Sequence, residues 1–232
     1  TACREEVNCI YGLDADLIML ALVSNCPRCF LLRESVHFGK VDTEKLLFFD
    51  IELFSDKLYK SIETPIMTKH KKLLADTPEY IPLELIKSRT VRDYICLCFF
   101  IGNDFLPHLT GIDINNGGVD KLLDIYIENF IVKPYYLVNE DHTLNLIFVK
   151  QIINKLYNIE DSILRSYQKK VDRYKPRLKY SNEYELALEK LRFYPKFNNE
   201  GVVKFGEIGW RDKYYKYYFN ITNHVKNEYM LN

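Results

Sequence analysis

The stretch from Val7 to Tyr11 is apolar in character, and Gly12 cuts it off abruptly. Ala15 to Val23 then reads as a helix with Leu17, Leu20, Ala21 and Ser24 on one side. Cys29 to Arg33 is a second strand candidate. Strand, helix and strand at this spacing define a parallel α/β unit, because parallel neighbours need a crossover long enough to hold a helix. Val7 to Tyr11 is therefore expected to be a short buried strand. Leu46 to Ile51, interrupted only by Asp50, is expected to add a third strand to the same unit, followed by a helix to about Tyr59.

Past about Ser61 the pattern turns helical. Thr77-Pro78 and Ile81-Pro82 mark a loop or a helix start. Thr90 with Asp93 three residues on forms a weak capping box. Val91, Tyr94, Ile95, Cys98 and Phe99 follow at helical spacing, and Leu97, Phe100 and Ile101 make that helix apolar nearly all round, so it is expected to be buried. Gly102 ends it. Asn115 to Gly118 is a turn, and Val119, Leu122, Leu123 and Tyr126 give the next helix its stripe. Asn145–Tyr157, Glu160–Tyr174 and Glu183–Arg192 read as three further helices. With 47% hydrophobic and 28% charged residues, the 232-residue chain can build a sizeable core. No uninterrupted apolar run approaches the roughly 18–20 residues of a membrane span, and no secretory signal opens the chain. Its six cysteines are dispersed in apolar surroundings, which fits a reducing, intracellular setting better than a disulfide framework.

Two places carry acids in positions that ask for chemistry. Tyr11-Gly12-Leu13-Asp14-Ala15-Asp16 lies where a strand ends and a helix begins, the place where α/β sheets bind ligands. If strand geometry persists to Asp16, the two carboxylates point the same way, roughly 6–7 Å apart at the backbone. Such a pair repels unless a cation sits between its members, and hard Mg²⁺ or Mn²⁺ suits carboxylate oxygens. The plainer reading makes Asp16 a helix N-cap and Asp14 a loop residue. The second place is Gly102-Asn103-Asp104-Phe105-Leu106-Pro107-His108. Asp104 follows a helix C-terminus, where the backbone dipole opposes negative charge; a bound metal explains it, and so does a solvated turn.

Tyr11 to Leu20, Tyr-Gly-Leu-Asp-Ala-Asp-Leu-Ile-Met-Leu, resembles one signature of the Xrn-type 5′→3′ exoribonucleases. Cys98 to Leu109, Cys-Phe-Phe-Ile-Gly-Asn-Asp-Phe-Leu-Pro-His-Leu, resembles a second. Gly209-Trp210-Arg-Asp-Lys-Tyr-Tyr215 with Phe219 is similar to the family's Gly-Trp-basic-Tyr-Tyr segment, and Leu31–Glu34, Gly118–Tyr126 and Tyr136–Asn145 fall in family order. The resemblance implies an α/β fold: the end of a parallel-sheet nuclease core of PIN/FEN-like type in residues 1–55, followed by a mainly α-helical Xrn-type domain, truncated or shortened, in residues 56–232. It implies that Asp14, Asp16 and Asp104 are catalytic metal ligands for Mg²⁺ or Mn²⁺. It further implies two-metal hydrolysis of single-stranded RNA with a 5′-monophosphate: one ion activates water and the other steadies the leaving oxygen.

The same resemblance implies an incomplete site. The family's further acids, its Gly-Glu-Gly-Glu pair and its basic 5′-phosphate pocket have no match upstream of Tyr11, and a downstream Trp/Tyr-rich segment has none either. The stretch from about Lys170 to Lys204 is shorter than in cellular members. The chain opens on Thr1, which reads as a fragment, a processed product or a trimmed chain. The expectation is a partial catalytic region, inactive or nearly so alone, with the N-terminal half of the nuclease as a partner. The alternative is a non-catalytic Xrn-like helical module that binds RNA or a partner. A flap-type DNA nuclease is a third reading, against which the Gly-Asn-Asp-Phe-Leu-Pro and Gly-Trp motifs speak. The balance of 32 basic and 32 acidic residues argues against a non-specific nucleic-acid coat and is neutral toward a nuclease.

Smaller signals have paired readings. Cys26-Pro-Arg-Cys29 is half a zinc motif, with Cys3, Cys9 and His37 as weak partners, or two ordinary semi-buried cysteines. Cys96 and Cys98 are expected to pack. Asn115-Asn-Gly-Gly118 offers N–H groups to a phosphate or is a plain helix-entry turn. Lys213 to Tyr218 interleaves bases and rings, for stacking on single strands or for structure. Lys69 to Lys72 is expected to be a solvated loop, and His108 a packing residue or a functional contact.

Overall fold

Strand β1 (Asn8–Tyr11) runs parallel to β2 (Cys29–His37), and helix α1 (Asp16–Val23) makes the crossover between them. This computed structural model describes residues 6–37, 40–74, 83–103, 106, 109, 111–112, 114, 117–173, 182–191 and 208–220. Asn8 is in register with Cys29 and Tyr11 with Leu32, so the strand–helix–strand reading holds. The third strand departs from it. β3 (Lys40–Asp50) pairs antiparallel with β2, Phe30 opposite Asp50 and His37 opposite Lys40, with an irregularity between Glu34 and Ser35. The reason is chain length. β2 ends at His37 and β3 starts at Lys40, and so short a link joins only antiparallel strands. The result is a mixed three-stranded sheet in the order β1-β2-β3.

β1 is also not the buried strand expected. It is an edge strand with residues alternating between half-buried and exposed, and Tyr11 is 63% exposed. Burial in the sheet falls instead on β2, where Leu31 is fully enclosed.

The rest is helical: α2 (Ile51–Leu74), α3 (Lys87–Phe99), α4 (Gly118–Val132), α5 (Leu146–Arg173), α6 (Glu183–Leu191) and α7 (Trp210–Phe219). α2 runs well past Tyr59 and through Pro65, and it carries the Lys69–Lys72 run as helix rather than loop. Its apolar stripe of Leu58, Ile62 and Ile66, at i and i+4, is buried and outweighs the hydrogen bond that proline forgoes. The segments 145–157 and 160–174 form one continuous helix up to Arg173, since Asn158 and Ile159 contain no glycine or proline to break it. By packing, the chain divides into two units, Thr1–Ile152 and Ile153–Asn232. No helix among the described residues is long and apolar enough to cross a membrane.

In the first unit α2 packs on α3 and α4. The Thr90–Asp93 pair is no capping box: α3 begins earlier, at Lys87, and both residues are fully enclosed inside it. Thr90 Oγ1 donates back to the carbonyl of Ile86 at 3.0 Å. Asp93 accepts three hydrogen bonds, from Tyr126 Oη at 2.8 Å, Leu137 N at 2.7 Å and Val138 N at 2.8 Å. It ties α3 to α4 and to the strand-like segment at 137–138. Around it Tyr126, Phe130, Phe148 and Tyr136 stack with ring centroids 5.3–5.7 Å apart. Arg89 lies over the Tyr136 ring at 4.1 Å. Cys96 and Cys98 pack half-buried on α3, and burial pushes the Cys96 thiol up to about 11.

In the second unit α7 clasps α5. Trp210 Nε1 donates to Asp161 Oδ1 at 3.0 Å, and Arg211 places Nε and Nη2 on Glu160 Oε2 at 3.1 and 3.0 Å. Arg211 also covers the Tyr157 ring at 4.6 Å. Tyr214 is buried edge-on against Trp210 at 6.3 Å. The Gly-Trp segment thus has a packing role in the residues described, with Lys213 and Lys216 left exposed.

Candidate metal centre

The carboxyl end of the β1–β2 pair gathers the acids. β1 stops at Tyr11, Gly12 N–H donates to Leu32 carbonyl at 3.0 Å, and the chain turns into α1. A Cβ at Gly12 would overlap the Leu17 Cδ1 methyl, so glycine lets the turn close against the helix. Asp14 is exposed and Asp16 half-exposed. Asp14 Oδ1 accepts the Asp16 N–H at 3.0 Å, and the Asp14 carbonyl accepts Leu17 N–H at 3.3 Å.

The plainer reading does not hold for Asp16, which is the first residue of the helix, with Ala15 at the N-cap position; the Asp14 side chain covers the helix entry from the residue before, through the bond to Asp16 N–H. The extended geometry is corrected as well. Ala15 is already helical, at φ −66° and ψ −28°, so the two side chains do not stand side by side as they would along a strand. The cause is the cap itself, which winds the backbone at once after Asp14.

Glu34 lies at the same end of the pair, two residues past the register partner of Tyr11. It accepts a hydrogen bond from the Tyr11 hydroxyl. That bond holds the Glu34 carboxyl below the usual carboxylate range and raises the Tyr11 phenol. Glu34 is thereby tied to the last residue of β1 at the end that leads into Asp14, a link that its position in the neighbouring parallel strand explains. Asp104, His108, Asn115 and Asn116 lie outside the described residues. Gly117 makes the turn into α4 with φ 68°, and Lys121 N–H returns to its carbonyl at 3.1 Å, as in a helix entry.

Among the described residues no group of three or more His, Cys, Asp or Glu is placed to hold a metal ion, so neither the acids nor Cys26 with Cys29 form a closed site there. Asp14 and Asp16 present hard oxygens with solvent access. This suits Mg²⁺ or Mn²⁺, which take one or two carboxylates and keep water or phosphate in the remaining positions. Asp14 keeps Oδ2 for such a role while Oδ1 caps the helix. Separating the two jobs is direct. Asp14→Asn is expected to leave helix stability nearly unchanged, while Asp14→Ala costs about 1 kcal/mol. Thermal melts followed by circular dichroism check this, and equal losses would mean that the cap is not what Asp14 contributes.

Residues 2–35 match the pattern of the XRN 5′-3′ exonuclease N-terminus, and residues 86–192 match the Xrn1 helical domain. The chain is 36% identical over 172 residues to 5′-3′ exoribonuclease 2 of Candida albicans, covering 68% of this chain and 17% of that protein. It is 35% identical over 170 residues to 5′-3′ exoribonuclease 1 of Schizosaccharomyces pombe, covering 68% and 12%. With the 5′-3′ exoribonuclease 2 homolog of Drosophila melanogaster it shares 28% over 197 residues, covering 75% and 22%. The chain belongs to the Xrn-type 5′→3′ exoribonuclease family. The matched stretch spans less than a quarter of each of these three relatives.

Proposed function

We propose that this chain supplies one wall of the metal site of a 5′→3′ exoribonuclease that acts on single-stranded RNA bearing a 5′-monophosphate. The observation that carries the reading is the pair Asp14 and Asp16 at the carboxyl end of β1, inside a chain of this family. Residues 1–55 belong in this reading to the end of a PIN/FEN-like nuclease core and residues 56–232 to the helical domain. Asp14 and Asp16, joined by Asp104, would hold Mg²⁺ or Mn²⁺. When bound, the ions supply an activated water and stabilise the charge that develops on the phosphate. Asp14 orients its free oxygen through the cap, and Asp16 is fixed as the first residue of α1. Three carboxylates are a small set for a two-metal centre, so the chain by itself is inactive or nearly so. The remaining acids come from the rest of the nuclease as partner.

The test has two readouts. Incubated with 5′-monophosphorylated RNA and Mg²⁺, the isolated chain is expected to release no more mononucleotide than an Asp16→Ala control; digestion by the wild type alone overturns its inactivity. Mn²⁺ is expected to broaden the amide resonances of Asp14 to Leu17 selectively, and Asp16→Ala to abolish this. Uniform or absent broadening removes the metal-site reading.

A second reading has its own support. Asp14 Oδ1 is committed to the helix entry, a structural use of that oxygen which a helical module that binds RNA or a partner without catalysis would keep. RNA binding that survives Asp14→Ala and Asp16→Ala in the absence of metal favours it. Parallel assays with DNA of the same sequence separate both from a flap-type DNA nuclease.

A further inference from the structure

The turn between α1 and β2 brings two thiols together at the other end of the β1–β2 pair from Asp14 and Asp16. It reads Asn25-Cys26-Pro27-Arg28-Cys29, and Asn25 and Arg28 both take φ 49°, a left-handed conformation that L-residues rarely adopt. Strand β1 grips this turn from the side: Asn8 N–H donates to Arg28 carbonyl at 3.0 Å and Asn8 Nδ2 to Pro27 carbonyl at 3.2 Å. Cys29 is 1% exposed. Cys26 is half-buried and lines a cavity of about 440 Å³ between the end of α1, the first turn of α2 and the start of α3. The floor of that cavity is apolar, with Leu22, Ile51 and Val91, and Lys87 and Arg92 stand on its wall. Cys26 and Cys29 stand three positions apart across this turn, and Cys26 Sγ lies 3.9 Å from the Pro27 carbonyl oxygen.

We propose that Cys26 and Cys29 form a redox-active dithiol, which closes to an intrachain disulfide by exchange with an oxidised low-molecular-weight disulfide of the glutathione type. Cys26 is the attacking group, since it opens on the cavity. Its thiolate attacks one sulfur of the small disulfide, whose S–S bond breaks; one small thiolate leaves and takes up the proton that Cys26 gave up. Cys29 then attacks the Cys26 sulfur of the mixed disulfide. The second small thiolate leaves with the proton from Cys29. Two protein thiols are thereby oxidised by two electrons, and one small disulfide is reduced to two thiols. Burial holds the Cys29 thiol above its ordinary value, which suits a resolving rather than an attacking group. Among the described residues no third metal-ligating group joins the pair. This inference does not depend on the nuclease reading.

The test uses the intact chain in buffers running from fully reduced to fully oxidised glutathione, with acid quenching, alkylation and peptide mass spectrometry. At the oxidised end Cys26 and Cys29 are expected to be lost to alkylation together, in one peptide lighter by two hydrogens, and to return on reduction. Cys96 and Cys98 are expected to stay thiols throughout. Cys29→Ser is expected to stop at a glutathione adduct on Cys26. In the wild type, thiols that persist at both positions in fully oxidised buffer overturn the proposal. So does a stable adduct on Cys26 with Cys29 still open to alkylation, and so does a bridge from Cys29 to Cys9.

Discussion

Asp93→Ala is expected to destabilise the first unit by about 3–5 kcal/mol, since it strands three buried donors at once. Tyr126 Oη, Leu137 N and Val138 N all end on this one carboxyl. Water does not reach the site to replace it, because Asp93 is 0% exposed. Asp93→Asn keeps one acceptor oxygen and is expected to cost less. Urea unfolding followed by circular dichroism is the check, and a loss below about 1 kcal/mol for the alanine variant would sink the idea. The same residue sets a pH dependence. Burial raises the Asp93 carboxyl from 3.8 to about 6, against the opposing pull of the two backbone N–H groups and Tyr126. Between those values the folded chain holds a proton that the unfolded chain has released. Asp93 therefore favours the fold most below about 4, and that contribution, roughly 3 kcal/mol, fades as pH rises through 6. Relative to Asp93→Asn, the wild type is expected to gain stability as pH falls from 7 to 5.

The second large effect falls in the other unit. Trp210→Ala removes a ring that is 5% exposed, its edge contact with Tyr214 and its N–H bond to Asp161. Emptying a buried tryptophan site costs about 3–5 kcal/mol. Hydrogen exchange resolved along the chain is expected to lose protection in α7 and in the part of α5 beyond Ile153. Trp210→Phe keeps most of the ring and is expected to lose far less. Protection lost equally from α2 to α4 would show that Trp210 does not stabilise its own unit locally.

Where local pattern decided structure, the sequence was legible. The βαβ unit, the helix α3, the start of α4 and nearly the whole of α6 follow from periodicity and turn residues. The antiparallel turn of β3 was not, since residues 35–45 mix polar and β-branched side chains without clear alternation and Val36 and Val41 alone hint at a strand. Asp93 hid for a different reason. Its partners lie 33, 44 and 45 residues along the chain, and no local rule tells a buried hub from a cap. At the candidate metal centre, the motif names the acids but not their geometry. Whether Asp14 and Asp16 share a face turns on the conformation of Ala15, which takes the helical geometry alanine favours rather than the extended one a strand would need.

Trp210 is the only tryptophan in a chain with 18 tyrosines. Its indole is buried, packed on Tyr214, and hydrogen-bonded to a carboxylate. The protein thus carries a built-in optical label at a known address. Excitation at the red edge of the absorption band reads out the second unit alone, with no dye and no mutation.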